Sequence, residues 1–311
     1  MMIGCGCAGE PAQPPHGEPV TDKPISSLPP LEPTSNRLSG APSASVKPPA
    51  SSPPPDEAID SLTALRSFVD PDELSVVFQP IVSLRRRELY AYEALVRCSV
   101  PELRAPPVLF DKAVDNGCTG RLGRMIREIG VPLAAGLPLF VNIHPRELSE
   151  GWLIQPDDPV FGHDDDVFLE VTESVPLSHS DLCSGVLKEV CTRGGVHLVV
   201  DDLGAGYSNL KHIADLEPAI VKLDRQLVAG IDHNRRQREL VSAVVDLCVR
   251  LGAEVVAEGI ETPEECRAVI DTGAHYGQGY LFARPAFPAP LVQWPGDEKP
   301  TDPPPATERS D

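Results

Sequence analysis

The chain has 311 residues, and its 46 acidic against 27 basic side chains give a formal charge of −19. That balance argues against a binder of duplex nucleic acid, which needs a basic face, because Arg85-Arg86-Arg87 and Arg235-Arg236 are only short clusters. No apolar run approaches the roughly 20 residues of a membrane-spanning helix, and the eight cysteines show no C-x-x-C spacing. No membrane partner and a reducing cytoplasmic location are therefore expected.

Residues 1–57 are crowded with proline and serine, in runs such as Pro29-Pro30 and Pro53-Pro54-Pro55, and residues 292–311 include Pro303-Pro304-Pro305. Such segments bury too little apolar surface to offset the entropy of ordering, so both are expected to be disordered arms. The roughly 235 residues between them (58–291) suit one (β/α)8 barrel, which typically needs about 250.

Within that span short apolar runs alternate with amphipathic stretches. Strands are expected at Val76–Phe78, Leu89–Val96, Leu139–Ile143, Val167–Val171, Val196–Val200, Ile220–Leu223, Val255–Ala257 and Gly279–Phe282. Helical spacing is clearest over Arg235–Leu251. Another helix should start at Thr262, with Pro263 in its first position and Glu265 closing a capping box. The alternation predicts a parallel sheet closed into a TIM-like barrel of the α/β class. Only Ser83–Glu88 separates the first two strands, too little for a crossover, so that pair should be an antiparallel hairpin.

Polar residues recur on these strands. Glu93 lies in the second, Asn142 near the end of the third and Glu170 at the end of the fourth. Asp201 and Asp202 end the fifth, Lys222 sits in the sixth, Glu258 ends the seventh and Gln278 enters the eighth. A carboxylate in an apolar strand is costly unless it is paired or metal-bound. In a barrel the strand C-termini converge on one face, where active sites are built. Several carboxylates and an amide oxygen gathered there, with no histidine or cysteine among them, suit hard divalent cations. A period of two puts Glu93, Leu95 and Arg97 on one strand face. Asp201 and Asp202 are adjacent, so the chain should be leaving its strand there into the glycine turn Leu203-Gly204-Ala205-Gly206.

These motifs carry a resemblance. Phe78-Gln79-Pro80-Ile81, Glu93-Ala94-Leu95-Val96-Arg97, Val141-Asn142-Ile143-His144-Pro145, Glu170-Val171-Thr172-Glu173 and Asp201-Asp202-Leu203-Gly204 stand in one order. They are followed by Val221-Lys222-Leu223-Asp224, Ala257-Glu258-Gly259 and Gln278-Gly279-Tyr280. The chain resembles the EAL-domain family of cyclic di-GMP phosphodiesterases. The resemblance implies hydrolysis of cyclic di-GMP to linear pGpG with Mg2+ or Mn2+, two ions per site, and a capacity to form homodimers.

It further implies that Glu93, Asn142, Glu170 and Asp201 bind one ion, while Asp201, Asp202 and Glu258 bind the second. Lys222 would orient or deprotonate the attacking water, with Glu258 sharing that role and Gln278 supporting the shell. Gln79, Leu95 and Arg97 would hold the dinucleotide, and Glu173 would anchor the loop after Asp202. His144 reads as structural. Family members that have lost a ligand or the lysine would act as receptors without turnover, and none of the matched positions is lost here. The glycine loop departs from the family's habit at Leu203, Ala205 and Asn209.

Overall fold

The structure, a computed structural model, describes residues 55–134, 136–172, 180–193, 195–204 and 210–296, with backbone alone for 55–60, 172, 180–184 and 210–212. Both arms lie outside these residues except for 55–57 and 292–296, and so do Glu173 and the loop 205–209.

Eight strands close a barrel in chain order. They are β1 Leu74–Ser83, β2 Glu88–Cys98, β3 Leu139–Asn142, β4 Val167–Thr172, β5 Val196–Leu203, β6 Ile220–Leu223, β7 Glu254–Ala257 and β8 Tyr276–Gln278. β1 runs antiparallel to both β2 and β8, and every other pairing is parallel. The expected hairpin is present, and its turn is tight enough that Arg87 takes a left-handed φ of 57°.

Helices cover the outside. They are α1 Pro55–Arg66, α2 Pro106–Asp115, α3 Thr119–Gly130, α4 Glu147–Glu150, α5 Ser180–Cys191, α6 Leu210–Leu216, α7 Arg225–Val228, α8 Arg235–Arg250 and α9 Pro263–Asp271. α9 begins as its sequence demands: Thr262 accepts from the Glu265 amide at 3.1 Å, and Glu265 accepts from the Thr262 amide at 3.1 Å. Both exchanges satisfy amides that a helix start leaves without partners. Among the described residues no helix is long and apolar enough to cross a membrane.

Strand alternation sorts the core into an outer shell, facing the helices, and a barrel interior. One interior layer is apolar, formed by Ile81, Ala91, Phe140, Phe168, Val199, Ile220 and Val256. The rings of Phe140 and Phe168 stack at 4.4 Å, and Tyr90 stacks on Tyr276 at 4.0 Å. Two residues further along each parallel strand, on the same face, the side chain turns polar. Phe140 is followed by Asn142, Phe168 by Glu170, Val199 by Asp201, Ile220 by Lys222 and Val256 by Glu258. Ala91 is likewise followed by Glu93 and Tyr276 by Gln278. β1 runs the other way, so there Gln79 precedes Ile81. Each strand or the residue just past it thus contributes one polar group to a layer at the mouth, above an apolar floor.

Two local expectations are corrected. The eighth strand was expected at Gly279–Phe282 but is Tyr276–Gln278, so Gln278 ends it rather than entering it. The apolar Leu281 and Phe282 gave the false signal. The chain leaves the sheet at Gly279, where a Cβ would collide with the Ile260 backbone, and the Leu281 amide donates back to the Ile260 carbonyl at 3.0 Å. The second concerns Asp202, which does not leave the strand. β5 runs on to Leu203, with an irregularity in its pairing to β6 between Val200 and Leu203. Asp202 takes a left-handed φ of 60° there. That kink lets two adjacent carboxylates serve the same mouth, which a regular strand forbids.

Candidate metal centre at the barrel mouth

Lys222 is the hub. It is 1 % exposed, and its Nζ lies 2.6 Å from Glu170 Oε1, 2.6 Å from Glu258 Oε1, 3.4 Å from Asp201 Oδ1 and 3.6 Å from Glu93 Oε1. Amides tie the ring together: Asn142 Nδ2 donates to Glu93 Oε1 at 3.0 Å and Gln278 Nε2 to Glu93 Oε2 at 2.6 Å. Gln278 Nε2 also reaches Gln79 Oε1 at 3.3 Å, and Gln79 Nε2 donates to the Ala283 carbonyl at 3.3 Å.

One ammonium cannot neutralise this many carboxylates, and the titration behaviour divides accordingly. Burial acts to raise Glu93, but Lys222 and the bonds from Gln278 and Asn142 outweigh it and hold the acid below its usual range. Glu170 lies well above its usual range, through burial and the neighbouring Glu93 charge. Burial, opposed by Lys222 but aided by Asp201 and Glu93, lifts Glu258 to about 8. Asp202 rises to about 6 through burial and Asp201. Lys222 itself is raised well above its ordinary value, because its carboxylates overcome the burial that acts to discharge it. The site is short of positive charge.

Its unmet hydrogen-bonding capacity points the same way. Glu170 Oε2 and Gln278 Oε1 are buried without a hydrogen-bond partner, and Glu170 Oε1 and Asp201 Oδ1, equally buried, face only the shared Lys222 ammonium. Buried polar atoms of this kind call for a missing partner. Asp201, Asp202 and Glu258 each offer an oxygen within 4.8 Å of the others, as a shared cation requires. An all-oxygen donor set with excess negative charge fits hard divalent cations. Of the expected ligands the structure brings together Glu93, Asn142, Glu170, Asp201, Asp202 and Glu258, with Lys222 and Gln278 among them. Glu173 lies outside the described residues.

A groove of about 210 Å³ opens beside the ring, bordered by Gln79, Leu95, Glu258 and Gln278. It also takes in Arg225, Glu261 and Tyr280, to which the sequence assigned no site role. Arg225 Nη2 pairs with Glu261 Oε1 at 2.9 Å, and Arg284 lies 4.1 Å over the Tyr280 ring. Their signal was position, since each follows the mouth end of a strand. On the other flank of β2 a recess of about 380 Å³ is lined by Leu95, Arg97, Pro107, Phe110 and His144. His144 stacks on Phe110 at 5.6 Å and 8°, in keeping with a structural role.

A closed α/β barrel carrying a ring of carboxylates and amides around one buried lysine defines the class: a TIM-like barrel whose mouth offers a donor set suited to divalent cations. The chain belongs to the EAL domain family, whose pattern matches residues 62–285. It is 30% identical over 246 residues to the cyclic di-GMP phosphodiesterase PdeR of Escherichia coli K12, covering 75% of this chain and 37% of that one. It is 30% identical to the cyclic di-GMP phosphodiesterase NbdA of Pseudomonas aeruginosa, covering 74% of this chain and 31% of that one. The chain thus spans about a third of the length of these relatives. Among solved structures it resembles Klebsiella pneumoniae BlrP1 in its calcium/cy-diGMP complex, with a TM-score of 0.62 and 31% identity over 70% of this chain and 57% of that one.

Proposed function

We propose that this chain is a phosphodiesterase that opens cyclic di-GMP to linear pGpG with bound Mg2+ or Mn2+. The carrying observation is the mouth ring: the residues expected as ligands, Glu93, Asn142, Glu170, Asp201, Asp202 and Glu258, converge at one barrel mouth, and Lys222 stands among the carboxylates. Glu93, Asn142, Glu170 and Asp201 would hold one cation, and Asp201 with Asp202 and Glu258 a second. Such a pair of cations, when bound, supplies the charge that activates water and stabilises a leaving oxygen in an in-line displacement.

The chain's own groups do the rest. Lys222 Nζ, held as a charged ammonium by Glu170 and Glu258, orients the attacking water. Glu258 Oε1, 2.6 Å from that ammonium, stands where it can take the water's proton. Arg97, on the same strand face as Glu93 and Leu95, offers a guanidinium to a phosphate. Gln79 and Leu95 contact the dinucleotide along the groove. The Gln278 amide holds Glu93 from the opposite side of the ring. The phosphate bond to a ribose 3′ oxygen breaks, leaving the 5′ phosphate on the product.

The test is separation of nucleotides by chromatography after incubating the full chain with cyclic di-GMP and Mn2+. pGpG should appear, vanish with chelator, and be absent in Glu93→Ala at unchanged thermal stability. Saturable binding of cyclic di-GMP without product would make the chain a receptor and refute the proposal.

A further inference from the structure

α3 buries an arginine. Gly120, Gly123 and Arg127 recur at helical spacing on the face that meets α4, beside the buried Leu122, Met125 and Ile126. The glycines allow the approach. A Cβ on Gly123 would collide with the Glu147 carboxylate, and one on Gly120 would press on Trp152 and Glu150. Arg127, 1 % exposed, is held in the resulting contact by two buried acids. Its Nε donates to Asp158 Oδ1 and Oδ2 at 3.0 and 3.2 Å, and its Nη2 to Asp158 Oδ2 at 2.8 Å. Its Nη1 donates to Glu147 Oε2 at 2.7 Å.

Asp158 alone would complete a structural cross-link. It takes three of the four guanidinium contacts and also caps the turn at Pro159–Gly162 by accepting from the Val160 amide at 3.2 Å. Glu147 is therefore a second buried acid on a charge already paired, and burial pushes its carboxyl upward against the pull of Arg127. Its other oxygen shows what it does: Glu147 Oε1 accepts from the His144 amide at 3.0 Å. His144 stands two residues past Asn142. The intervening Ile143 amide is held from the barrel side by the Glu170 carbonyl at 2.9 Å. The backbone leaving β3 is thus pinned by the barrel at Ile143 and by the α3–α4 contact at His144, just after the Asn142 amide turns toward Glu93.

We infer that Glu147, locked by Arg127, is a positioning residue for the metal centre: by holding the His144 amide it sets where Asn142 presents its carboxamide. This rests on the reading of Asn142 as a metal ligand. Groups that orient a ligand from behind typically govern metal affinity by about 10- to 100-fold.

The test is Mn2+ titration of the full chain, without nucleotide, followed by the electron paramagnetic resonance signal of free Mn2+. Glu147→Leu, which removes the acceptor, should weaken binding at least ~10-fold. Asp158→Asn, which loosens only the structural arm, should lower the melting temperature while leaving Mn2+ affinity within about threefold of wild type, below the effect of an orienting group. If Glu147→Leu does not fold, Glu147→Asp reads the same contact. It keeps the charge beside Arg127 and withdraws the carboxylate from His144, and the same loss is expected. Wild-type affinity in a folded Glu147 variant, or equal weakening by Asp158→Asn, overturns the inference. Asn142→Ala separates the two readings. If it binds Mn2+ like wild type, the ligand assignment itself fails. If it binds weakly while the Glu147 variant does not, only the positioning role fails.

Discussion

Replacing Lys222 with methionine removes the cation at the centre of the ring without changing the volume of the site much. Lys222 is 1 % exposed, and four carboxylates lie within 3.6 Å of its Nζ. Deleting one side of a buried ion pair costs about 3–5 kcal/mol, because the remaining charge is stranded. For a domain of this size that lowers Tm by roughly 6–20 °C. The loss should depend on pH, and the sign can be worked out. The Glu258 carboxyl, at about 8, and the Glu170 carboxyl lie above their unfolded values. Stability linked to them is fully present below the unfolded carboxylate range and is lost as pH rises through the folded values. Lys222, raised above its ordinary value, stays charged throughout and adds no slope between pH 5 and 8. Without it both acids move higher still. In the metal-free variant stability should therefore fall more steeply from pH 5 to pH 8 than in wild type, and go on falling above pH 8. Mn2+ should restore the variant at least as well as wild type, by about 2.7 kcal/mol at one hundred times its Kd, while turnover falls at least ~10²-fold. Differential scanning calorimetry at both pH values, with and without Mn2+, reads all of this. An equal Tm loss at pH 5 and pH 8, or protection of wild type but not of the variant by Mn2+, would refute the reasoning.

Other consequences follow from the same geometry. Glu170→Gln relieves crowding around Lys222, so metal-free Tm should match or exceed wild type while Mn2+ affinity falls more than ~10-fold, read by calorimetry and titration. Cations must displace protons from Glu258 and Asp202, whose carboxyls sit at about 8 and about 6. Mn2+ binding should therefore tighten about ten- to a hundredfold from pH 6 to pH 8 and release protons, which isothermal titration in buffers of different ionisation enthalpy would detect. Gly123→Ala should destabilise by ~1–3 kcal/mol in urea unfolding, because its methyl group meets the Glu147 carboxylate. The same change at Gly185, on the exposed side of α5 with open space around it, should instead stabilise by up to ~1 kcal/mol.

The barrel was legible because strands buried on both faces announce themselves as short apolar runs, and because one polar residue interrupts each near its end. The interval of two from Phe140 to Asn142, or from Ile220 to Lys222, already places those groups on one interior face. β8 was misread because Tyr280, Leu281 and Phe282 look like a strand by composition, whereas the close approach of Gly279 to Ile260 is a tertiary fact. The kink at Asp202 was hidden for the same reason: only pairing with β6 shows that β5 continues through it. Arg127, Glu147 and Asp158 are far apart in sequence and carry no motif. The one local hint was a charged residue on the glycine-lined face of α3.

Diffraction from crystals soaked in Mn2+, measured at the manganese absorption edge, tests the central claim most directly. The account predicts anomalous density among Glu93, Asn142, Glu170 and Asp201, further density beside Asp202 and Glu258, and Lys222 Nζ drawn away from Glu170 Oε1. A mouth without anomalous density, with Lys222 still seated against Glu170 and Glu258, would contradict it.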